Sequence, residues 1–528
     1  MIRLVLDSIA AGYEQDIREL VQAFYPGEEF EIRTPEGVHF SNTTQEEKNA
    51  LKQAQATGEV TAVNKKSTKN RARMASEVTP EGMEEDSIRL SFTVEAAALP
   101  LTGVRKEDKS AIKAELYDTL VGMTGKELPW GDLTGIRPVS LVSPLLEALP
   151  GHTFPEEALR KIRADLRREY CIRGEKLDLM VDIAVREQRI LDRIRETTGR
   201  SYKEGWSLYI GIPFCPTRCL YCSFLSNTID AWEKRLGDYM ENLRKELRFT
   251  VQHMCGELHR PLQTIYIGGG TPTTLSPALL DRLMGALEGA FDLSACAEYT
   301  VEAGRPDTIT QEKLAVLRAA GVGRVSINPQ SMNERTLRLI GRSHTPEEIK
   351  TAFHMAREAG FASINMDVIA GLPGETEDDM RHTLDEIVRL APDNLTVHTL
   401  ALKRSSRLVE KLGEYPLPEA EAAEAMVTAG AEAAHALGMR PYYMYRQKYM
   451  RGNLENVGYA LPGKECVYNI DMMEDTTSIM AHGAGAMTKC IYDAERRVER
   501  VPNPKDIATY IAKIDRLAEE KRRMYEMR

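Results

Sequence analysis

The feature that most constrains the fold is a rhythm between residues 207 and 400, where short apolar runs alternate with stretches of helical period. Ser207-Leu-Tyr-Ile-Gly-Ile-Pro213 reads as a strand closed by proline. Trp232, Leu236, Tyr239, Leu243 and Leu247 then recur at helical spacing. Gln263–Ile267, Tyr299–Glu302, Arg324–Asn328, Ser363–Ile369 and Asn394–Leu400 repeat the strand signal, with helices expected over 311–320, 333–340, 346–359 and 376–390. Such alternation implies an α/β fold of βα units on a parallel sheet. About six strands make a partial barrel rather than a closed eight-stranded one. Ligands in these architectures sit at the carboxyl ends of the strands. Glu302, Gln330, Asp367 and the run Gly268-Gly-Gly-Thr-Pro-Thr273 all fall at or near those ends. Glycines at a strand end permit close backbone approach to a ligand, although a plain tight turn would use them too.

A cluster of thiols leaves the first of these strands. Of eight cysteines, Cys171, Cys255, Cys296, Cys466 and Cys490 are scattered and read as small buried hydrophobes. The other three form Cys215-Pro-Thr-Arg-Cys219-Leu-Tyr-Cys222, a spacing that lets one loop aim three thiolates at one point. Structural zinc wants four ligands, and His253 with Cys255 does not make the usual second pair. A 4Fe–4S cube ordinarily takes four cysteines, so three would leave one iron open to a small chelating molecule.

Composition narrows the partners. Lys and Arg number 69 against 79 Asp and Glu, a net charge of −10, which disfavours a general nucleic-acid binder. No apolar run approaches the roughly 18 residues of a membrane-spanning helix. Met1–Asp7 meets an acid too early for a secretory signal, so the cytoplasm is the expected location, with reduced thiols.

The spacing Cys-x3-Cys-x2-Cys resembles the signature of the radical S-adenosylmethionine (SAM) superfamily, in which the open iron binds the amino and carboxylate groups of SAM. Tyr209–Phe224, Gly268–Thr273, Asn365-Met-Asp-Val-Ile-Ala-Gly-Leu-Pro-Gly374 and Gly483-Ala-Gly-Ala486 are similar to the oxygen-independent coproporphyrinogen III oxidase family, and the long N-terminal region resembles its HemZ-type branch. The resemblance spans roughly residues 205–490. It implies a partial (β/α)6 radical SAM barrel over 201–445, preceded by an N-terminal α+β domain (1–102) and a mainly helical linker (103–200). A C-terminal extension (446–528) would close the barrel. It implies that Cys215, Cys219 and Cys222 hold a 4Fe–4S cluster, and that Tyr209, Gly269 and Glu302 contact the SAM bound to it, with Gly270 and Thr271 in the same loop. Oxidases of the family bind a second SAM, and the matching positions are Tyr221, Gln330, Arg342, Asp367 and Ala401. Met487 stands where an apolar residue lies over SAM. The polar residue types suit such ligands: Asp367 can accept from ribose hydroxyls, and Arg342 can grip a carboxylate.

The implied reaction is radical cleavage of SAM, hydrogen abstraction from a propionate of coproporphyrinogen III, and loss of carbon dioxide to give a vinyl group. Two rounds yield protoporphyrinogen IX, and an electron donor and an acceptor are required. The chain departs from the family at three places. Phe224 replaces a fourth nearby cysteine, Gly211 stands where oxidases usually carry histidine, and residues 1–60 lack the arginine- and tyrosine-rich arm. The related haem-chaperone branch shares the phenylalanine, but its His-Asn-x-x-Tyr-Trp corresponds here to Cys466-Val-Tyr-Asn-Ile-Asp471. A non-catalytic haem chaperone and another radical SAM modification of a tetrapyrrole are therefore the alternatives, with a zinc-binding regulator behind them.

Outside the barrel, Ile2–Asp7, Glu59–Val63 and Ser87–Glu95 read as strands, Glu14–Phe24 and Lys109–Met123 as helices, and Pro155–Thr198 as mostly helical. Lys65, Lys66, Lys69, Arg71 and Arg73 read as a solvated basic loop. Trp130-Gly-Asp-Leu-Thr-Gly-Ile-Arg-Pro138 is rich in turn residues and carries no evident chemistry. Tyr442, Tyr443, Tyr445 and Arg446 suit either a flat anionic tetrapyrrole or a core edge, and Arg446 and Lys448 are candidate propionate anchors. The alternating charges of Lys513–Arg528 suggest an exposed helix.

Overall fold

The computed structural model describes residues 2–40 apart from 27 and 29, residues 88–92, and residues 101–526 apart from 136, 224–226, 295, 404, 449 and 493–496. The expected strand Glu59–Val63 and the basic stretch Lys65–Arg73 lie outside the described residues, as does Phe224. The chain divides into two compact units, Met1–Gly135 with Glu156–Asp178, and Ile136–Pro155 with Leu179–Arg528.

The smaller unit carries a four-stranded sheet in the order Gly37–Phe40, Phe30–Thr34, Ile2–Leu6, Ile88–Phe92. Ile2, Leu4 and Leu6 alternate into its core against Ile17, Leu20, Val21 and Phe24 of helix Glu14–Phe24. Helix Arg105–Thr124 adds Ile112, Leu116 and Leu120 to the same core and ends at Gly125, whose φ of 66° is the left-handed turn that glycine favours. The antiparallel pair Phe30–Thr34 and Gly37–Phe40 was not anticipated, because each strand is only four or five residues long.

The larger unit contains the expected barrel. Its six parallel strands are β1 (Trp206–Ile212), β2 (Leu262–Gly269), β3 (Glu298–Glu302), β4 (Arg324–Ser326), β5 (Ser363–Ala370) and β6 (Asn394–Thr399). They lie side by side in chain order. Burial on both faces explains their near-continuous apolar runs. Leu208, Ile210, Ile212, Ile265, Ile267, Val325, Ile364 and Met366 are fully buried. Connecting helices begin at well-formed caps. Thr345 and Thr376 each make a reciprocal capping box, with Glu348 and Asp379 respectively.

The sheet does not end with these six strands. Ser478–His482 adds parallel to β1, followed by Met487–Tyr492 and Arg497–Pro502. Asn456–Ala460 and Arg440–Tyr445 add antiparallel beyond β6, so eleven strands share one sheet. Tyr442 and Tyr443 are therefore buried in a strand, as the core-edge alternative required. The expectation of an exposed C-terminal helix is corrected. Ile514–Glu526 buries Ile514, Leu517, Lys521, Met524 and Tyr525 along one face, and only the opposite face carries solvated charge. Among the described residues no helix is long and apolar enough to cross a membrane.

Candidate functional site

The cysteine loop leaves β1 and is fastened at several points. The amides of Gly270 and Thr271 donate to the carbonyls of Ile212 (2.8 Å) and Phe214 (2.7 Å), which ties the start of the loop to the glycine run after β2. A Cβ on Gly270 would lie 2.6 Å from the Phe214 oxygen, so the close approach requires glycine. Farther along, Leu220 N donates to Ile340 O (2.9 Å), Thr217 Oγ1 to Gly341 O (3.0 Å) and Arg218 to Ser405 O (2.6 Å). Cys219 is buried, while Cys215 and Cys222 are partly exposed. Cys215 Sγ lies 3.5 Å from Thr271 Oγ1. Burial pushes the Cys215 thiol up to about 11, so it is metal coordination that would make it a thiolate. Among the described residues no three Cys, His, Asp or Glu side chains gather as around a single metal ion.

Next to the loop, Glu302 ends β3. Tyr266 Oη donates to its Oε1 at 2.6 Å. Burial pushes its pKa up to about 7, the nearby Asp367 charge adds to the rise, and the Tyr266 hydroxyl and Gly269 amide oppose it. The Arg324 guanidinium also opposes the rise, but too weakly to cancel it. A carboxyl left raised by its surroundings is suited to receive a ligand's ammonium group. Tyr209, Tyr266 and Tyr468 stack beside it, with centroids 6.3 Å (209–266), 6.0 Å (209–468) and 4.5 Å (266–468) apart. The Tyr468 hydroxyl is buried and has no hydrogen-bond partner among the described residues. Gly269 has a φ of 107°, and an added Cβ would meet the Tyr209 hydroxyl at 3.3 Å.

Asp367, Gln330, Arg342 and Tyr221 occupy the following strand ends. Asn365 Nδ2 donates to Asp367 Oδ1 (2.7 Å), and His398 Nε2 lies 3.6 Å from Oδ2. Burial would raise the Asp367 carboxyl, but His398, Asn365 and Thr396 outweigh it and hold the pKa below the ordinary value. Gln330 takes a φ of 66° and forms an isolated bridge with Val368, its amide donating to Asp367 O at 2.9 Å. Arg342 is buried. Its Nη1 donates to Asn328 O (2.6 Å) and Gly304 O (3.2 Å), and its Nη2 to Tyr221 Oη (3.4 Å). Only its Nε–H lacks a partner. Ala401 bridges to Met450. Met487 follows the turn Gly483–Ala486 and is 42 % exposed, an apolar side chain left open to solvent. Of the candidate anchors, Arg446 is buried and donates to Asn453 Oδ1 at 2.6 Å, so its charge serves the protein itself.

Contacts therefore connect the cysteine loop with Gly270 and Thr271, Glu302 with Gly269 and Asp367, and Tyr221 with Arg342. Among the described residues no polar contact joins Ala401 or Met487 to the rest. Sequence reasoning passed over Tyr266, Arg305, His398 and Tyr468. Tyr266 was findable, since β2 alternates and Tyr266 shares no face with Ile265 and Ile267. Arg305 and His398 carried no periodic signal.

The Radical SAM superfamily model matches residues 209–387. The oxygen-independent coproporphyrinogen-III oxidase-like protein HemZ of Bacillus subtilis (strain 168) is 40 % identical over 417 residues, covering 79 % of this chain and 81 % of that one. The heme chaperone HemW of Escherichia coli (strain K12) is 32 % identical over 267 residues, covering 50 % and 65 %. A solved structure of coproporphyrinogen III oxidase (HemN) from Escherichia coli superposes with a TM-score of 0.49 at 24 % identity, covering 63 % of this chain and 73 % of that one.

Proposed function

This chain belongs to the HemZ-type family of radical SAM proteins, and on that premise we propose that it oxidatively decarboxylates propionate side chains of coproporphyrinogen III to vinyl groups. Family membership implies a 4Fe–4S cluster and SAM. When bound, the two supply a 5′-deoxyadenosyl radical able to take a hydrogen atom from an unactivated carbon. Everything else is the work of the chain. Cys215, Cys219 and Cys222 would hold three corners of the cluster and leave the fourth open. Glu302, its carboxyl held up by desolvation, would take up the SAM ammonium, which would then draw its pKa down from about 7. Gly269 and Gly270 let backbone approach the methionyl part. The Tyr209, Tyr266 and Tyr468 rings exclude water from that side. Asp367, kept ionised by His398 and Asn365, would accept from the ribose hydroxyls of a second SAM, and the Arg342 Nε–H would face an acceptor there.

The observation that carries this reading is that the glycine run after β2 adjoins both the fastened three-cysteine loop and the raised carboxyl of Glu302. Anaerobic incubation of the reconstituted protein with SAM, a reductant and coproporphyrinogen III, followed by mass spectrometry, tests it. The expected products carry vinyl groups, each formed with loss of one hydrogen atom to the radical, one carbon dioxide, and one electron to the acceptor that the reaction requires, and Cys219→Ala abolishes them together with the bound iron and sulfide. Similarity to heme chaperones supports a second reading, in which the protein binds haem stoichiometrically and leaves the porphyrinogen unchanged. A product of some other mass would point to a different tetrapyrrole modification.

A further inference from the structure

Arg305 is 3 % exposed and stands three residues beyond Glu302, in the loop that follows β3. Asp307 fixes its guanidinium in a fork: Nε donates to Oδ1 at 3.0 Å and Nη2 to Oδ2 at 2.9 Å. The remaining nitrogen, Nη1, faces the cysteine loop. It donates to Thr217 Oγ1 at 3.1 Å and lies 3.8 Å from Cys219 Sγ, within hydrogen-bond range for sulfur. On the far side of Asp307, His344 Nδ1 stands 3.5 Å from Oδ1. Arg342 also lies beside Cys219, so two buried guanidinium groups flank one thiol.

A lone buried cysteine needs no such escort. A thiolate bound to an iron–sulfur cluster does, because the cluster is anionic and gains another negative charge on reduction. Hydrogen bonds to its sulfurs and nearby positive charge favour the reduced form and raise the potential. The two partners of the ion pair act with opposite sign. The guanidinium is nearer the sulfur than the carboxylate is, so the net field favours the added electron.

We propose that Arg305, pinned by Asp307, donates to Cys219 Sγ and raises the reduction potential of the cluster held by the cysteine loop. It is a positioning residue that acts through Cys219, and the inference rests on the reading of Cys219 as a cluster ligand. The full-length protein, reconstituted anaerobically with iron and sulfide, is titrated with dithionite while electron paramagnetic resonance counts the reduced cluster. Wild type is compared with Arg305→Gln, Arg305→Lys and Asp307→Asn. At one fixed poise, Arg305→Gln should lower the ratio of reduced to oxidised cluster about tenfold, equivalent to about 59 mV for a one-electron couple. Arg305→Lys keeps the charge and should restore part of that loss. Asp307→Asn removes the opposing carboxylate and should shift the ratio the other way.

An unchanged potential in Arg305→Gln overturns the proposal, and so does a shift of the same sign in Asp307→Asn. Loss of the cluster in both Arg305 variants would make the residue a scaffold and overturn it as well. If the wild-type protein itself assembles no cluster, the reading of the cysteines falls first and takes the proposal with it.

Discussion

Two glutamates of the larger unit, both with desolvated carboxyls, show opposite electrostatic fates. Glu246, on helix Leu236–Thr250, is 1 % exposed and every lone pair is engaged. Lys521 Nζ (2.8 Å) and Asn503 Nδ2 (2.9 Å) donate to Oε1, while Gly483 N (2.8 Å) and Tyr510 Oη (2.6 Å) donate to Oε2. Burial alone would raise its pKa, but Lys521 and His482 outweigh it and hold the carboxyl well below the usual range. Glu302 is partly exposed at the open end of the barrel, has Tyr266 and Gly269 as donors, and rises to about 7. A carboxylate supplied with an internal cation is a structural fastening. One that the more weakly acting Arg324 leaves raised is suited to a ligand that brings its own cation. The first kind here anchors the C-terminal helix beneath Gly483–Ala486, and the second stands at the proposed SAM site.

The contrast breaks most visibly at Lys521. Replacing it in Lys521→Met leaves Glu246 charged and unpaired in the interior, which should cost about 3–5 kcal/mol. Urea denaturation measures the loss, and the double variant Lys521→Met/Glu246→Gln should regain most of it. A single variant as stable as wild type would mean that the pair fastens nothing.

Glu302→Gln should do the opposite. Because the folded carboxyl titrates near 7 and the unfolded one near 4.5, its contribution to stability is fully present below 4.5 and is lost as pH rises through 7. The variant should therefore match wild type at pH 4.5 and exceed it by roughly 1–2 kcal/mol at pH 8, while losing SAM affinity. A variant less stable than wild type at pH 8 would put Glu302 in the same class as Glu246. The smallest effect belongs to Tyr239→Phe. Its hydroxyl donates to Gly211 O (2.6 Å) and accepts from Ala484 N (3.2 Å), so it joins the fastened region to the strand that carries Tyr209. Its loss should lower stability by about 0.5–1 kcal/mol in the same denaturation experiment.

The barrel was legible because its strands are short, apolar and closed by glycine or proline, and because their helices carry a clear period. Helix bounds moved only by residues: Lys109–Met123 became Arg105–Thr124, and 376–390 became Glu377–Leu390. The cysteine loop and the glycine run were legible for a different reason, since their chemistry depends on spacing along the chain. Lys521 was misplaced in a solvated helix because charge was weighed without position. It occupies the stripe of Ile514, Leu517 and Met524, and a lysine in an apolar stripe calls for a buried counter-ion. Arg305 and His398 could not be found this way, because their partners are Cys219, 86 residues away, and Asp367 on the neighbouring strand.

Local pattern alone thus determined the parallel α/β barrel and the thiols and glycines that follow its first two strands. Those properties depend on residues a few positions apart, whose relation the covalent chain already fixes. Only tertiary structure decided which carboxylates are neutralised, which guanidinium reaches a thiol, and that the sheet runs on to eleven strands. Charge compensation acts through space over a few ångströms, and the chain brings Glu246 to Lys521, or Arg305 to Cys219, only by folding.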